Sequence, residues 1–499
     1  MGKKKAGARA KGASSTKPVQ ERVTPKLRGF WDKSVAPSGE APGPRGGHTA
    51  TLLGSRLYVY GGADRSPATH GDLYCLELDG GKPLAWSRVA KPPADKGGEW
   101  PEARTDHAAA VAAGCMWMTG GQDPVGRAEA GCDSQYLPFE VWTLAEPAAQ
   151  PAAAAAAEGG EEEGAVVATA AVAAPPTWQL RACEGAPPCP RASHGLVLAG
   201  DSVTLAVVGG ASDEGPLDDL HLLDTATLVW SQLLLAPATA PAAREMHACF
   251  CLPGVVKVDA ALAAEEELIN GEVGSELVIM GGRSATGVLG AMEILNLGAA
   301  ILLETAAEPL PDDAPDLGDM VEAGTATPLD DAAPEPEPEP EAWNQAQIPD
   351  PAEVAAVGAE GGEGTAHKTA LGGAGADGKR LRPAPMPAAL CGQGVAWWAP
   401  AADAPLPLAF GGTDMAGVDG DLWNLTATPN GKGKDKADWE WEIAEGVGGS
   451  APTGRFAHTF TALPVPEGAG PGRPRPTALV FGGVSFEKDL NDLHLLWTA

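Results

Sequence analysis

The chain has few aromatic residues and few cations for its size. Aromatics make up 5% of its 499 residues, with only four tyrosines, and 35 Lys and Arg face 66 Asp and Glu, for a formal net charge of -31. No apolar run is long enough to cross a membrane as a helix. The eight cysteines contain no CxxC pair and no zinc-finger ladder, which predicts buried or idle thiols in a reducing compartment. The basic N-terminus lacks the apolar core of a secretory leader. A myristoylation motif beginning at Met1-Gly2 fails at Ala6, where Ser or Thr is required. A cytoplasmic protein without membrane insertion or cofactor is expected. With 65 Gly and 46 Pro, much of the chain must lie in turns, and a long-helix fold is excluded.

What is present is a repeat. A short apolar run closes on a glycine pair six times: Leu57-Tyr58-Val59-Tyr60-Gly61-Gly62, then at Gly120-Gly121, Gly209-Gly210, Gly281-Gly282, Gly411-Gly412 and Gly482-Gly483. Upstream of five of them stands Arg-x-x-His, as Arg45 with His48, Arg104 with His107, Arg191 with His194, Arg244 with His247 and Arg455 with His458. The fifth unit reads as having lost it, with Pro385-Met386-Pro387-Ala388 in its place. Downstream come an acidic residue, an alternating strand and a Trp: Trp86, Trp230, Trp439 or Trp441, and Trp178 after an insertion. Each unit therefore reads as four short strands, one propeller blade. Such a blade cannot bury both faces alone, so blades stack around an axis with the Trp between them.

This pattern resembles the kelch repeat over about residues 28–499, and the resemblance implies an all-β, six-bladed β-propeller whose blade loops bind other proteins. The last unit stops after its third strand, Asp492-Leu493-His494-Leu495-Leu496-Trp497. Residues 28–36, with Phe30 and Trp31, are expected to supply the missing strand and cover an exposed edge. Low-complexity insertions at 145–176 and 298–385 interrupt the repeats. Between Glu304 and Glu363 there are seventeen acidic residues and no Lys or Arg, a composition that predicts disorder. The insertions at 145–176, 253–276 and 463–476 are expected to leave on one face, and with Trp343 as the displaced Trp of the fourth unit residues 298–341 join them. The face carrying the Arg-x-x-His and post-glycine loops is then trim, and in this family it often receives partners.

Catalytic readings find little support. A pair repeated once per blade cannot converge on one point, so Arg and His are read as joining blade loops. The Tyr-Cys crosslinked copper site of galactose-oxidase-like propellers and the Glu, Asp and His iron sites of glucosinolate-specifying kelch proteins have no counterpart. No P-loop or Ser-His-Asp neighbourhood is visible either. A non-catalytic scaffold is the leading reading. A ligand-binding or metal-dependent protein using the axial channel remains the alternative. The roughly 30 residues before the propeller leave no room for a BTB or F-box region. Stand-alone kelch scaffolds occur in vesicle traffic, cytoskeletal assemblies and cilia. The Ala, Gly and Pro usage with acidic inserts resembles a GC-rich green alga, which makes an axonemal component of a cilium or flagellum the specific expectation.

Residues 1–27 reverse the sign of the chain. Lys3, Lys4, Lys5, Arg9 and Lys11, followed by Lys17, Arg22 and Lys26, oppose the single acid Glu21. With no aromatic residue before Phe30 the arm has nothing to stack on bases, so nucleic acid is a poor candidate. The acidic tails of tubulin are preferred, beside an anionic membrane surface, the protein's own acidic loops and the plain alternative of a solvated tail.

Overall fold

The computed structural model describes residues 27–33, 36–66, 68–79, 81–93, 98–147, 175–235, 240–252, 276–290, 292–297, 390–398, 406–429, 437–464 and 475–498. The basic arm, the Glu-Pro run, Trp343 and the bodies of the insertions lie outside them. Six antiparallel sheets are arranged as the blades of a propeller, as the repeat count implies. Blade 1 is typical, with strands Thr49–Leu53, Arg56–Tyr60, Leu73–Asp79 and Lys82–Val89. The second strand of each blade is apolar on both faces because blades cover it from both sides: Leu57, Val59 and Tyr60 are fully buried, as is Phe410 in blade 5. Among the described residues the sheet of blade 4 has three strands.

Among the described residues, outer-strand tryptophans reach across five of the joints to the preceding blade. Trp86 lies 5.2 Å from Phe481, Trp178 lies 5.1 Å from Tyr60, and Trp230 lies 5.8 Å from Phe139. In blade 5 the buried member is Trp441, whose indole N–H meets the Met292 sulfur at 3.4 Å. In blade 6 it is Trp31, 5.4 Å from Phe410. Trp31 belongs to Gly29–Asp32, which runs antiparallel to Leu493–Thr498 and so joins the chain's beginning to its end. The joint of blades 6 and 1 is clasped on the glycine-pair face. There Arg65 of blade 1 donates to the carbonyls of Ser485, Phe486 and Glu487 and lies 3.5 Å from Asp489.

Among the described residues, three blades carry a short fifth strand that the repeat does not announce. Ser38–Gly39, Glu184–Gly185 and Val447–Gly449 run parallel to the outer strands of blades 1, 3 and 6. On blade 2 the Glu99 carboxylate takes that place by accepting from the Leu180 N–H at 2.7 Å. Each device satisfies backbone groups that a bare edge would present to another chain.

Candidate functional site: the glycine-pair face

The repeat residues build a socket in each blade. Arg45, Arg104, Arg191, Arg244 and Arg455 are almost wholly buried. Each donates from Nη1 to the first glycine carbonyl of its own blade, at 2.8 Å for Gly61, 2.9 Å for Gly120, 3.0 Å for Gly209, 3.1 Å for Gly281 and 2.9 Å for Gly482. Each also pairs with an acid near the start of the third strand: Asp72 at 2.8 Å, Glu140 at 3.7 Å, Asp219 at 2.5 Å, Asp492 at 2.6 Å, and Glu293 in blade 4. Arginine side chains therefore work within a blade, and their backbone carbonyls work between blades. The N–H of Gly62, Gly121, Gly210, Gly412 and Gly483 donates to the carbonyl of Arg104, Arg191, Arg244, Arg455 and Arg45 of the next blade, all within 2.9 Å.

The histidines are the lateral joints. His48, His107 and His194 each hold a hydroxyl of the preceding blade, Thr459 at 3.3 Å, Thr49 at 2.9 Å and Thr119 at 2.9 Å. Their rings lie over the first glycine of that blade. At Gly61, whose φ is +66°, an added Cβ would stand 2.9 Å from His107 Cε1 and 2.5 Å from the Arg104 carbonyl, so a side chain is barred by space and by conformation. Burial, then the adjacent arginine, holds His48, His194, His247 and His458 at about 3, and His107 is likewise well below its ordinary value. These rings are neutral.

The fifth blade requires a correction. Its Arg-x-x-His position is Leu390-Cys391-Gly392-Gln393, not Pro385-Met386-Pro387-Ala388. The Gly282 N–H donates to the Leu390 carbonyl at 2.9 Å, and Cys391 bridges Thr413 as Gly46 bridges Ala63 in blade 1. Leu390 is a buried residue at the arginine's position, and Gln393 takes the place of the histidine beside Gly281. The acid ahead of the third strand is visible in the sequence, but its pairing with the arginine of the same blade was not read from it.

A further feature joins all six blades. The residue before each histidine, or before Gln393, donates its N–H to the carbonyl at the same position of the preceding blade. Asp106 donates to Gly47, Ser193 to Asp106, Met246 to Ser193, Gly392 to Met246, Ala457 to Gly392 and Gly47 to Ala457, at 2.7 to 3.1 Å. The six bonds close on themselves. All six residues are left-handed, with φ between +52° and +69°, and for Asp106, Ser193, Met246 and Ala457 this costs about 1–2 kcal/mol each. Among the described residues, no group of three or more His, Cys, Asp or Glu side chains is placed to hold a metal.

Six blades built on Arg, His and glycine pairs define the class: the chain is a kelch-repeat β-propeller. Residues 27–171 match the KLHDC2/KLHL20/DRC7 Kelch-repeats domain. The chain is also similar to acyl-CoA-binding domain-containing proteins 4 and 5 of Arabidopsis thaliana. It is 26% identical to each over 207 residues, which is 42% of this chain and 24% and 25% of theirs. The chain thus matches about a quarter of the length of these relatives. Kelch propellers generally mediate protein–protein interaction.

Proposed function

We propose that this propeller is a non-catalytic scaffold that binds other proteins through the loops of its glycine-pair face. The observation that carries this reading is the use of the arginines, histidines and acids. The five arginines and the acids paired with them are engaged in sockets, and the histidines are buried and neutral, which leaves the intervening loops to vary and to recognise partners. Thermal melts of the full chain in the presence of divalent metals and a small-molecule panel test it. Small shifts are expected, and a rise of many degrees with one compound would favour a ligand-binding channel instead.

The finer reading is a cytoplasmic cytoskeletal role, as a structural part of a ciliary or flagellar axoneme. It is supported by the charge of residues 1–27, where Lys3, Lys4, Lys5, Arg9 and Lys11 lead a cationic arm on a chain of net charge -31. The arm would hold the propeller to the acidic tails of tubulin, an attraction screened by salt over about 8 Å at physiological strength. Co-sedimentation with microtubules at low and high salt compares the full chain with one lacking residues 1–27. Salt-sensitive pelleting of the full chain alone is expected; equal pelleting of both rules the tether out.

A further inference from the structure

We propose that the glycine-pair face of blade 5 is a docking site for a protein segment that presents an arginine beside a large apolar side chain. The inference deepens the scaffold reading and rests on it. Its ground is a comparison that the molecule makes with itself. In five blades the acid near the start of the third strand meets a guanidinium of its own blade, at 2.5 to 3.7 Å for Asp72, Glu140, Asp219 and Asp492, and likewise for Glu293. In blade 5 the equivalent acid is Asp421, and the residue opposite is Leu390.

Among the described residues no cation pairs with Asp421. Its N–H donates to the Asp419 carboxylate at 2.8 Å, and that carboxylate also accepts from the Trp423 indole at 3.2 Å. Burial and the neighbouring Asp419 charge raise the Asp421 carboxyl above its ordinary value. Leu390 is 5% exposed and carries no charge, whereas Asp421 is exposed, so a cation that pairs with it would approach from outside.

The second observation is apolar. Met415, in the loop between Gly412 and Asp421, is 53% exposed, and Phe486, at the same position of the blade 6 loop, is 40% exposed. Large apolar side chains are thus offered to solvent at matching positions of adjacent blades, on the face that also carries the unpaired carboxylate. An arginine suits this setting because its planar fork pairs with carboxylates while its stem and face lie against apolar groups.

The test is selection of phage-displayed random linear peptides on the full-length protein. Enrichment of arginine next to an aromatic or aliphatic residue is expected. Selected peptides should lose at least about tenfold in affinity to Asp421→Lys and to Met415→Asp, two exposed changes that leave the melting temperature in place. Selected peptides without arginine, or peptides that bind both variants as they bind the parent, overturn the proposal while leaving the scaffold reading standing. Failure to select any peptide counts against both. Tighter binding to an Arg380→Ala/Arg382→Ala variant would show that the chain's own arginines hold the site, and would also overturn it.

Discussion

Trp31 offers the most direct test of how the ring is held shut. It is 4% exposed, lies 5.4 Å from Phe410 and 6.3 Å from Phe460, and comes from a strand at the opposite end of the chain from its neighbours. Trp31→Ala removes the indole from the joint of blades 5 and 6. A core aromatic truncated to alanine costs about 3–5 kcal/mol, a large share of the roughly 5–15 kcal/mol that stabilises a folded protein. Phe30 is the internal control. It shares the strand and stacks on Trp497 at 5.9 Å, but it is 39% exposed, so Phe30→Ala should cost no more than about 1.5 kcal/mol. Urea unfolding gives both values. Removing residues 1–33 should cost more than either substitution, because it also strips the backbone pairing from Leu493–Thr498. The bared edge should make the truncated chain associate at high concentration, visible as an earlier elution in gel filtration. A Trp31→Ala protein within about 0.5 kcal/mol of the parent, or one no weaker than Phe30→Ala, would refute closure through this strand.

Arg455→Met leaves the Gly482 carbonyl without its donor and Asp492 without its cation. It should destabilise by about 3 kcal/mol, part of which returns when Asp492→Asn is added; a strictly additive pair in urea melts would contradict the socket. The joint histidines set an acid limit. Because burial lowers their folded values to about 3, against about 6.5 unfolded, their stabilisation is complete above pH 6.5 and drains away as pH falls towards 3. At pH 5 this amounts to about 2 kcal/mol for each ring, so the ring should unfold above pH 4. His247→Gln, which copies Gln393, should move that midpoint to lower pH, and an unmoved midpoint in circular dichroism would show that the histidines do not govern it. Gly482→Ala places a Cβ 2.7 Å from His48 Cε1 at φ +64° and should cost more than the roughly 1–2 kcal/mol of the left-handed conformation alone, read from thermal melts.

The parts of this fold legible in the sequence are those in which one residue type is irreplaceable at a fixed spacing. Gly61 and its five counterparts cannot carry a side chain, and Arg45 and its four counterparts fill a slot of one shape, so both survive as visible letters. The register of blade 5 was illegible because Leu390 and Gln393 share no chemistry with Arg and His, and a long insertion removes the distance that would have located them. The fifth strands were hidden for another reason. Ser38–Gly39 and Glu184–Gly185 contribute backbone to their neighbours, which leaves no side-chain pattern to read. The acid partners fell between these cases, since Asp72 and Asp219 stand 27 and 28 residues after their arginines but Glu293 stands 49 after Arg244.

The closed circle of six N–H···O=C bonds acts as a gauge. A row of such bonds with free ends could be lengthened by one member and absorb the change at its termini, but a circle has no termini. Its circumference is set by the number of blades and by a bond length that varies here only from 2.7 to 3.1 Å. A seventh repeat could not be slipped in and accommodated locally; every blade would have to tilt before the circle could close again. The four left-handed residues other than glycine are the tension in that hoop. Duplication of a blade, a common way for repeat proteins to lengthen, therefore meets resistance here at the circle itself, whatever the variable loops around it would tolerate.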